Sequence, residues 1–314
     1  DHDLNLMKPG QTLARLTASV VEGIDAVLQA ERPDWVLVQG DTTTVMATAL
    51  AAFYHGVKVG HVEAGLRTHN KNHPFPEEIN RRIAGVVADL HFAPTPWAEE
   101  NLLREGVPAD TVVVTGNTVI DAIQRVAALD FEPAESILAD LPIGARRIVL
   151  VTAHRRENFG RGIEQICAAL RAIVSAHSDV QIVYPVHPNP NVFEPVHRLL
   201  GGVPAITLLP PLEYPSIVWL LRQCHFVISD SGGLQEEAPG LGKPVLVLRE
   251  TTERPEGVEA GTARLVGTDR DKIVAWADRL LTDPAAYDAM AKAVNPYGDG
   301  GAAARIVAAL EGAF

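Results

Sequence analysis

At several points in this chain, polar residues of catalytic type fall within three positions of the end of a short apolar run. Trp35-Val36-Leu37-Val38 is followed by Gly40-Asp41-Thr42-Thr43-Thr44, and the run from Val57 ends in His61-Val62-Glu63-Ala64-Gly65-Leu66-Arg67-Thr68. The loop Asn70 to Pro74 then leads to Pro74-Phe75-Pro76-Glu77-Glu78. Side chains just past the end of a buried strand are where open α/β sheets bind their ligands. Asp41, Glu63 and Glu77 brought to one side of a cleft would form an acid/base set, because mutual repulsion raises at least one pKa and leaves a proton available. Plainer explanations stand beside this one. Asp41 is placed to cap the next helix, and acidic residues in a first helical turn complement the helix dipole.

The second half repeats the pattern. His154-Arg155-Arg156-Glu157-Asn158 follows the run Ile148 to Val151, and a histidine next to arginines suits acid/base work beside a phosphate. A solvated charge run would look the same. His187, in Pro185-Val186-His187-Pro188-Asn189-Pro190, sits at the next strand end in a stiff loop, as a site residue or as a structural histidine. Ser229-Asp230-Ser231-Gly232-Gly233-Leu234-Gln235-Glu236-Glu237 is the most informative stretch. Gly232 and Gly233 let a ligand approach the backbone, and the N–H groups of the helix starting there, with Ser231, point at an anion. Glu237, one turn later, is placed to accept hydrogen bonds from a ribose diol. Lys243, Arg249 and Arg254 supply positive charge for a diphosphate. The alternative is a serine-capped helix with packing glycines.

These positions need a scaffold of alternating strands and helices. Apolar spacing predicts helices over 11–30, 44–54, 77–88, 96–105 and 301–312. Strands are expected at Trp35 to Val38, Val57 to Val62, Leu90 to Ala93, Val112 to Val114, Ile148 to Val151, Gln181 to Pro185, Ile206 to Leu208, Phe226 to Ser229, Pro244 to Leu248 and Ala263 to Val266. The first of these reads as buried on both faces. The cadence implies parallel pairing in two doubly wound, Rossmann-like α/β domains facing a cleft. Breakers at Pro133, Pro142 and Gly144 mark the boundary. The domains are expected at 1–142 and 143–292, with 293–314 as a C-terminal helix.

The 314 residues carry 27 Lys+Arg against 39 Asp+Glu, a net charge of −12. Such a chain is poorly suited to a phosphate backbone, so nucleic acid is not an expected partner. No run approaches 18 apolar residues, so no membrane span is expected. There is no GxGxxG after an early strand and no GxxxxGKS/T, HExxH or paired-cysteine spacing, so no dinucleotide cofactor and no metal are expected. Cys167 and Cys224 read as buried thiols in a reducing compartment. His69 and His73 read as exposed loop residues. The chain opens Asp-His-Asp with Met7 as its first methionine, and a processed or missing preceding segment is expected.

Gly40 to Thr44, His61 to Thr68, Pro74 to Glu78, His154 to Glu157, Ser229 to Glu237 and Thr251-Thr252-Glu253-Arg254-Pro255-Glu256, in this order, resemble the non-hydrolysing UDP-N-acetylglucosamine 2-epimerases. The resemblance runs from residue 1 to about residue 312. It implies a two-domain GT-B fold whose C-terminal helix crosses back onto the first domain. It also implies interconversion of UDP-GlcNAc and UDP-ManNAc without a redox cofactor, through UDP elimination to 2-acetamidoglucal and re-addition. Asp41, Glu63 and Glu77 would then be the base/acid set, and His154 would stabilise the departing diphosphate. Arg254 and the Ser231-Gly232-Gly233 backbone would hold phosphate, and Glu237 the ribose. Arg155 and His187 would line the nucleotide cleft, where a second UDP-GlcNAc acts as activator. A homodimer in the cytoplasm is expected. Family members open with a further strand, a Gly-Thr-Arg-Pro-Glu loop and a second βα unit, so roughly 60 residues of the first domain, its opening βα units, are expected to be absent. A glycosyltransferase of the same fold and a non-catalytic UDP-sugar-binding remnant are the alternatives.

Overall fold

A computed structural model describes residues 2–8, 10–133 and 136–312. The chain divides into two compact units, Asp1–Thr118 with Tyr297–Phe314, and Val119–Pro296.

The first unit runs α1 (Leu13–Glu31), β1 (Trp35–Gln39), α2 (Thr43–Tyr54), β2 (Lys58–Val62), α3 (Glu77–Val87), β3 (Leu90–Ala93), α4 (Pro96–Arg104) and β4 (Val112–Val114). Its four strands are all parallel, in the order β1-β2-β3-β4. Thr12, Thr42 and Thr95 cap α1, α2 and α4 by accepting the N–H three residues on. Thr42, not Asp41, is therefore the cap of α2. β1 departs from expectation. It is the edge strand of the described sheet and Leu37 is 49 % exposed, so the apolar run is not buried on both faces. Leu37 reaches instead across Gly60, where a Cβ would stand 2.6 Å from its Cδ2.

The second unit continues α5 (Thr118–Ala127), α6 (Ser136–Ala139), β5 (Arg147–Thr152), α7 (Arg161–Ala176), β6 (Val180–Pro185), α8 (Pro190–Leu200), β7 (Ile206–Leu209), α9 (Tyr214–Gln223), β8 (Cys224–Ser229), α10 (Leu234–Gly240), β9 (Val245–Val247), α11 (Pro255–Glu259), β10 (Ala263–Leu265), α12 (Arg270–Thr282) and α13 (Pro284–Ala291). Its parallel sheet has the order β10-β9-β8-β5-β6-β7. Alternate residues of the strands bury to opposite faces. Val149, Val151, Phe226 and Ile228 join α7, α8 and α12 in one core, while Ile148, Leu150, Val227 and Val245 join α9 and α10 in the other. Cys167 and Cys224 are buried and free.

Ile123 of α5 packs into the second unit's core. The division at 118/119 therefore precedes the breaker-rich segment around 142, of which 134–135 lie outside the described residues. α14 (Ala302–Glu311) packs Ile306 with Val62 and Phe92 of the first unit. Arg305 Nη1 donates to the Thr115 carbonyl at 2.9 Å.

Candidate active site

In the first unit, the register that pairs Gln39 with Val62 brings Gly40 beside Glu63 at the carboxyl edge of the sheet. Gly40 has φ +82°, and a Cβ there would lie 3.4 Å from Glu63 Oε2. Glu63 itself adopts φ +66°, a left-handed conformation that costs a non-glycine residue about 1 kcal/mol. Gly65 follows at φ +88°, where a Cβ would run into the Ala98 carbonyl. The turn thus needs its glycine to present Glu63 where it does.

Asp41 is held from α3. Arg81 Nη2 donates to Asp41 Oδ2 at 2.6 Å, and Asn80 Nδ2 donates to the Asp41 carbonyl at 3.0 Å. Arg81 is in turn fixed by Glu78 at 3.0 Å, a fully buried carboxylate that also accepts the N–H groups of Thr68 (3.0 Å) and His69 (3.1 Å). Glu77 lies four residues before Arg81, hence on the same helical face toward Asp41. Its Oε2 is buried without a hydrogen-bond partner. A buried acceptor left unpaired is costly, and a substrate hydroxyl or amide would satisfy it. Asp41, Glu63 and Glu77 thus share one end of one sheet.

His61 Nε2 donates to the Gly40 carbonyl at 2.8 Å and ties β2 to the turn carrying Asp41. His91 is its register partner on β3. Burial lowers both imidazoles to about 4. In the unfolded chain they titrate near 6.5, so between about pH 6.5 and pH 4 the unfolded state binds more protons and stability falls as pH falls. Each ring should contribute up to about 1.4 kcal/mol per pH unit. Denaturant titrations between pH 7 and pH 5 should show a falling midpoint; a flat midpoint would mean that the rings are charged in the folded state.

In the second unit the strand order reverses between β5 and β8, since β6 and β7 lie on one side and β9 and β10 on the other. Such a reversal is the place where open α/β sheets bind ligands, at the carboxyl ends of the strands. His154 and Arg155 follow β5; Asp230, Ser231, Gly232 and Gly233 follow β8. Thr152 Oγ1 and Ser229 Oγ are 2.7 Å apart across the strands, and Ser229 Oγ also accepts the Ser231 N–H at 2.9 Å. The His187 ring, at the end of β6, stacks on His154 with centroids 5.5 Å apart. His187 Nδ1 also accepts the Asn189 N–H at 3.1 Å, so it has a structural bond as well as a place beside His154. Arg155 Nε is buried without a partner.

A Cβ on Gly232 would stand 2.7 Å from Arg254 Nη1, so the glycine lets that guanidinium lie against the loop. Arg254 pairs with Glu236 through Nε and with Glu253 at 2.5 Å. α10 begins at Leu234 without a side-chain cap, so no serine caps it. Glu237 accepts the Tyr214 hydroxyl at 2.8 Å, and burial pushes its carboxyl above the ordinary range. The two other cations expected beside a diphosphate are placed differently. Lys243 precedes β9, at the opposite edge of the sheet. Arg249 is buried against Glu253 at 2.9 Å and Glu157 at 3.1 Å. Residues that sequence reading did not single out are Arg81, Glu78, Asp230, Asn158 and Tyr214. Glu78, Asn158 and Asp230 lie within stretches quoted from the sequence, whereas Arg81 and Tyr214 lie outside them.

Among the described residues no helix is long and apolar enough to cross a membrane, and no group of His, Cys, Asp and Glu could hold a metal ion.

Comparison with known proteins adds a family. Residues 1–311 match the family model described as UDP-N-acetylglucosamine 2-epimerase. The UDP-N-acetylglucosamine 2-epimerase of Escherichia coli (strain K12) is 53 % identical over 99 % of this chain and 84 % of its own length. The crystal structure of UDP-GlcNAc 2-epimerase from Neisseria meningitidis bound to UDP-GlcNAc is similar at TM-score 0.94 and 46 % identity, over 99 % of this chain and 85 % of that one. The Methanocaldococcus jannaschii UDP-GlcNAc 2-epimerase in complex with UDP-GlcNAc and UDP is similar at TM-score 0.82 and 34 % identity, over 98 % of this chain and 85 % of that one.

Proposed function

The chain belongs to the UDP-N-acetylglucosamine 2-epimerase family, a family of isomerases, and from that premise we propose that it interconverts UDP-GlcNAc and UDP-ManNAc by elimination and re-addition of UDP. The C2 proton is not adjacent to a carbonyl, so it leaves only as the C1–O bond to UDP breaks. Its bonding pair forms the C1–C2 double bond of 2-acetamidoglucal, and the C1–O pair departs on the β-phosphate oxygen. Re-addition reverses both changes with the proton delivered to the opposite face. The chemistry therefore needs a base on one face, an acid on the other and a stabilised diphosphate.

The observation that carries this reading is the carboxylate set at the β1 and β2 ends, with Glu77 Oε2 buried and unpaired. Asp41, Glu63 and Glu77 act as base and acid, and His154 meets the leaving diphosphate. Arg254 and the Ser231-Gly232-Gly233 backbone hold phosphate, Glu237 holds the ribose, and Arg155 and His187 line the nucleotide. A second UDP-GlcNAc as activator and a cytoplasmic homodimer belong to the same reading. The test is incubation with UDP-GlcNAc in the absence of nicotinamide and of any acceptor sugar. UDP-ManNAc should accumulate to equilibrium by NMR; a mixture that stays unchanged would refute the proposal.

Glu237→Ala should weaken UDP about 10-fold, the scale of one hydrogen bond to a charged group. The fold should hold, since alanine is a better helix former. Calorimetry showing wild-type UDP affinity would remove Glu237 from the site.

A further inference from the structure

Asp230 has no solvent exposure, and the loop after β5 closes around it. Its Oδ2 accepts the main-chain N–H groups of His154 (2.9 Å) and Arg155 (2.8 Å) and Nδ2 of Asn158 (2.9 Å). Asn158 Nδ2 also reaches the Leu248 carbonyl at 3.2 Å, beyond the end of β9. The His154 N–H additionally lies 3.1 Å from Oδ1, and the His154 ring brings Nδ1 to 3.4 Å from the same oxygen. A carboxylate at the end of one strand thus gathers the backbone and side chain of a residue that follows its neighbour. Nothing in a simple strand-to-helix connection requires this, and the buried carboxylate would be costly unless the donors were all supplied.

The charges around the His154 ring divide. Burial, Arg155 and the stacked His187 disfavour the imidazolium, Asp230 favours it, and the balance leaves the ring below its ordinary value, chiefly through burial. A histidine that is to meet a departing diphosphate has to offer a proton there, so the one favourable charge matters.

We propose that Asp230 is a positioning residue for His154: it holds the imidazole through Nδ1, leaves Nε2 to face the diphosphate, and supplies the negative charge that favours the protonated ring. This rests on the role assigned above to His154. The incoming diphosphate adds a second negative charge, and Nε2–H then donates to the leaving oxygen while Nδ1–H stays with Asp230. Because Asp230 is fully buried, it acts through His154 and not on the substrate.

The test is a histidine titration followed by 1H–15N correlation NMR, with the His154 signals assigned by their loss in His154→Gln. In the wild-type protein the neutral His154 ring should carry its proton on Nδ1. In Asp230→Asn the His154 midpoint should fall by about 1 pH unit or more. The basic limb of kcat/KM should move to lower pH with it, since the protonated form is lost as pH rises through that midpoint. Asn158→Ala loosens the same loop without removing charge and should leave the midpoint close to wild type, which separates a charge effect from a merely structural one. A wild-type ring protonated on Nε2, or equal midpoints in wild type and Asp230→Asn, would overturn the proposal. The wild-type tautomer needs no variant, so it decides even if Asp230→Asn does not fold. Absence of epimerisation in the wild type would count against the function proposed above and leave the titration to judge Asp230.

Discussion

Asp41→Asn, Glu63→Gln and Glu77→Gln should each lower kcat at least about 100-fold, the usual scale for a positioned acid or base. The substitutions keep shape and remove the titrating oxygen. Their structural cost should differ in a way that separates chemistry from folding. Asp41→Asn keeps a carbonyl oxygen for Arg81, which Glu78 still holds at 3.0 Å, so the ion-paired core of α3 survives. Glu63→Gln keeps the left-handed turn, because the strain lies in the backbone and Gly65 still clears Ala98. Glu77→Gln leaves the N-terminal turn of α3 intact. Thermal midpoints should therefore stay near wild type, and UDP affinity should change by less than about 3-fold, since the nucleotide contacts are assigned to the second unit. A near-normal rate for any of the three would return that residue to a packing or capping role. A large loss of UDP affinity would place it at the nucleotide instead of at C2.

The strand ends were legible because most of the short apolar runs are closed by glycine or by a polar residue within two positions, and the run from Ile206 is closed by Pro210-Pro211. The Gln39-Gly40-Asp41 and Ser229-Asp230-Ser231 transitions are examples, and the strands lie within two residues of where periodicity puts them. The partners of those strand-end residues were not legible. Arg81 reaches Asp41 across 40 residues, Asn158 reaches Asp230 across 72, and Tyr214 reaches Glu237 across 23. Such contacts depend on which strands become neighbours, and the order reversal between β5 and β8 has no local signature. The same blindness accounts for Lys243. Closeness in sequence to the glycine loop suggested a phosphate contact, but the chain crosses the sheet through α10 and leaves Lys243 at the other edge. Leu37 shows the limit of composition, because an apolar run reads alike in a central and an edge strand.

Solvent exchange at C2 bears most directly on the chemistry. Elimination hands the C2 proton to a carboxylate, which exchanges with water before the other face of C2 is protonated. An oxidation at C2 or C3 would instead need a hydride acceptor. The protein should therefore be incubated with UDP-GlcNAc in heavy water, without nicotinamide, and the UDP-ManNAc isolated for mass spectrometry and proton NMR. Elimination predicts UDP-ManNAc carrying one deuterium at C2, with the C2 proton resonance lost. UDP-ManNAc that retains its original hydrogen at C2, or free UDP released only when an acceptor sugar is added, would contradict it.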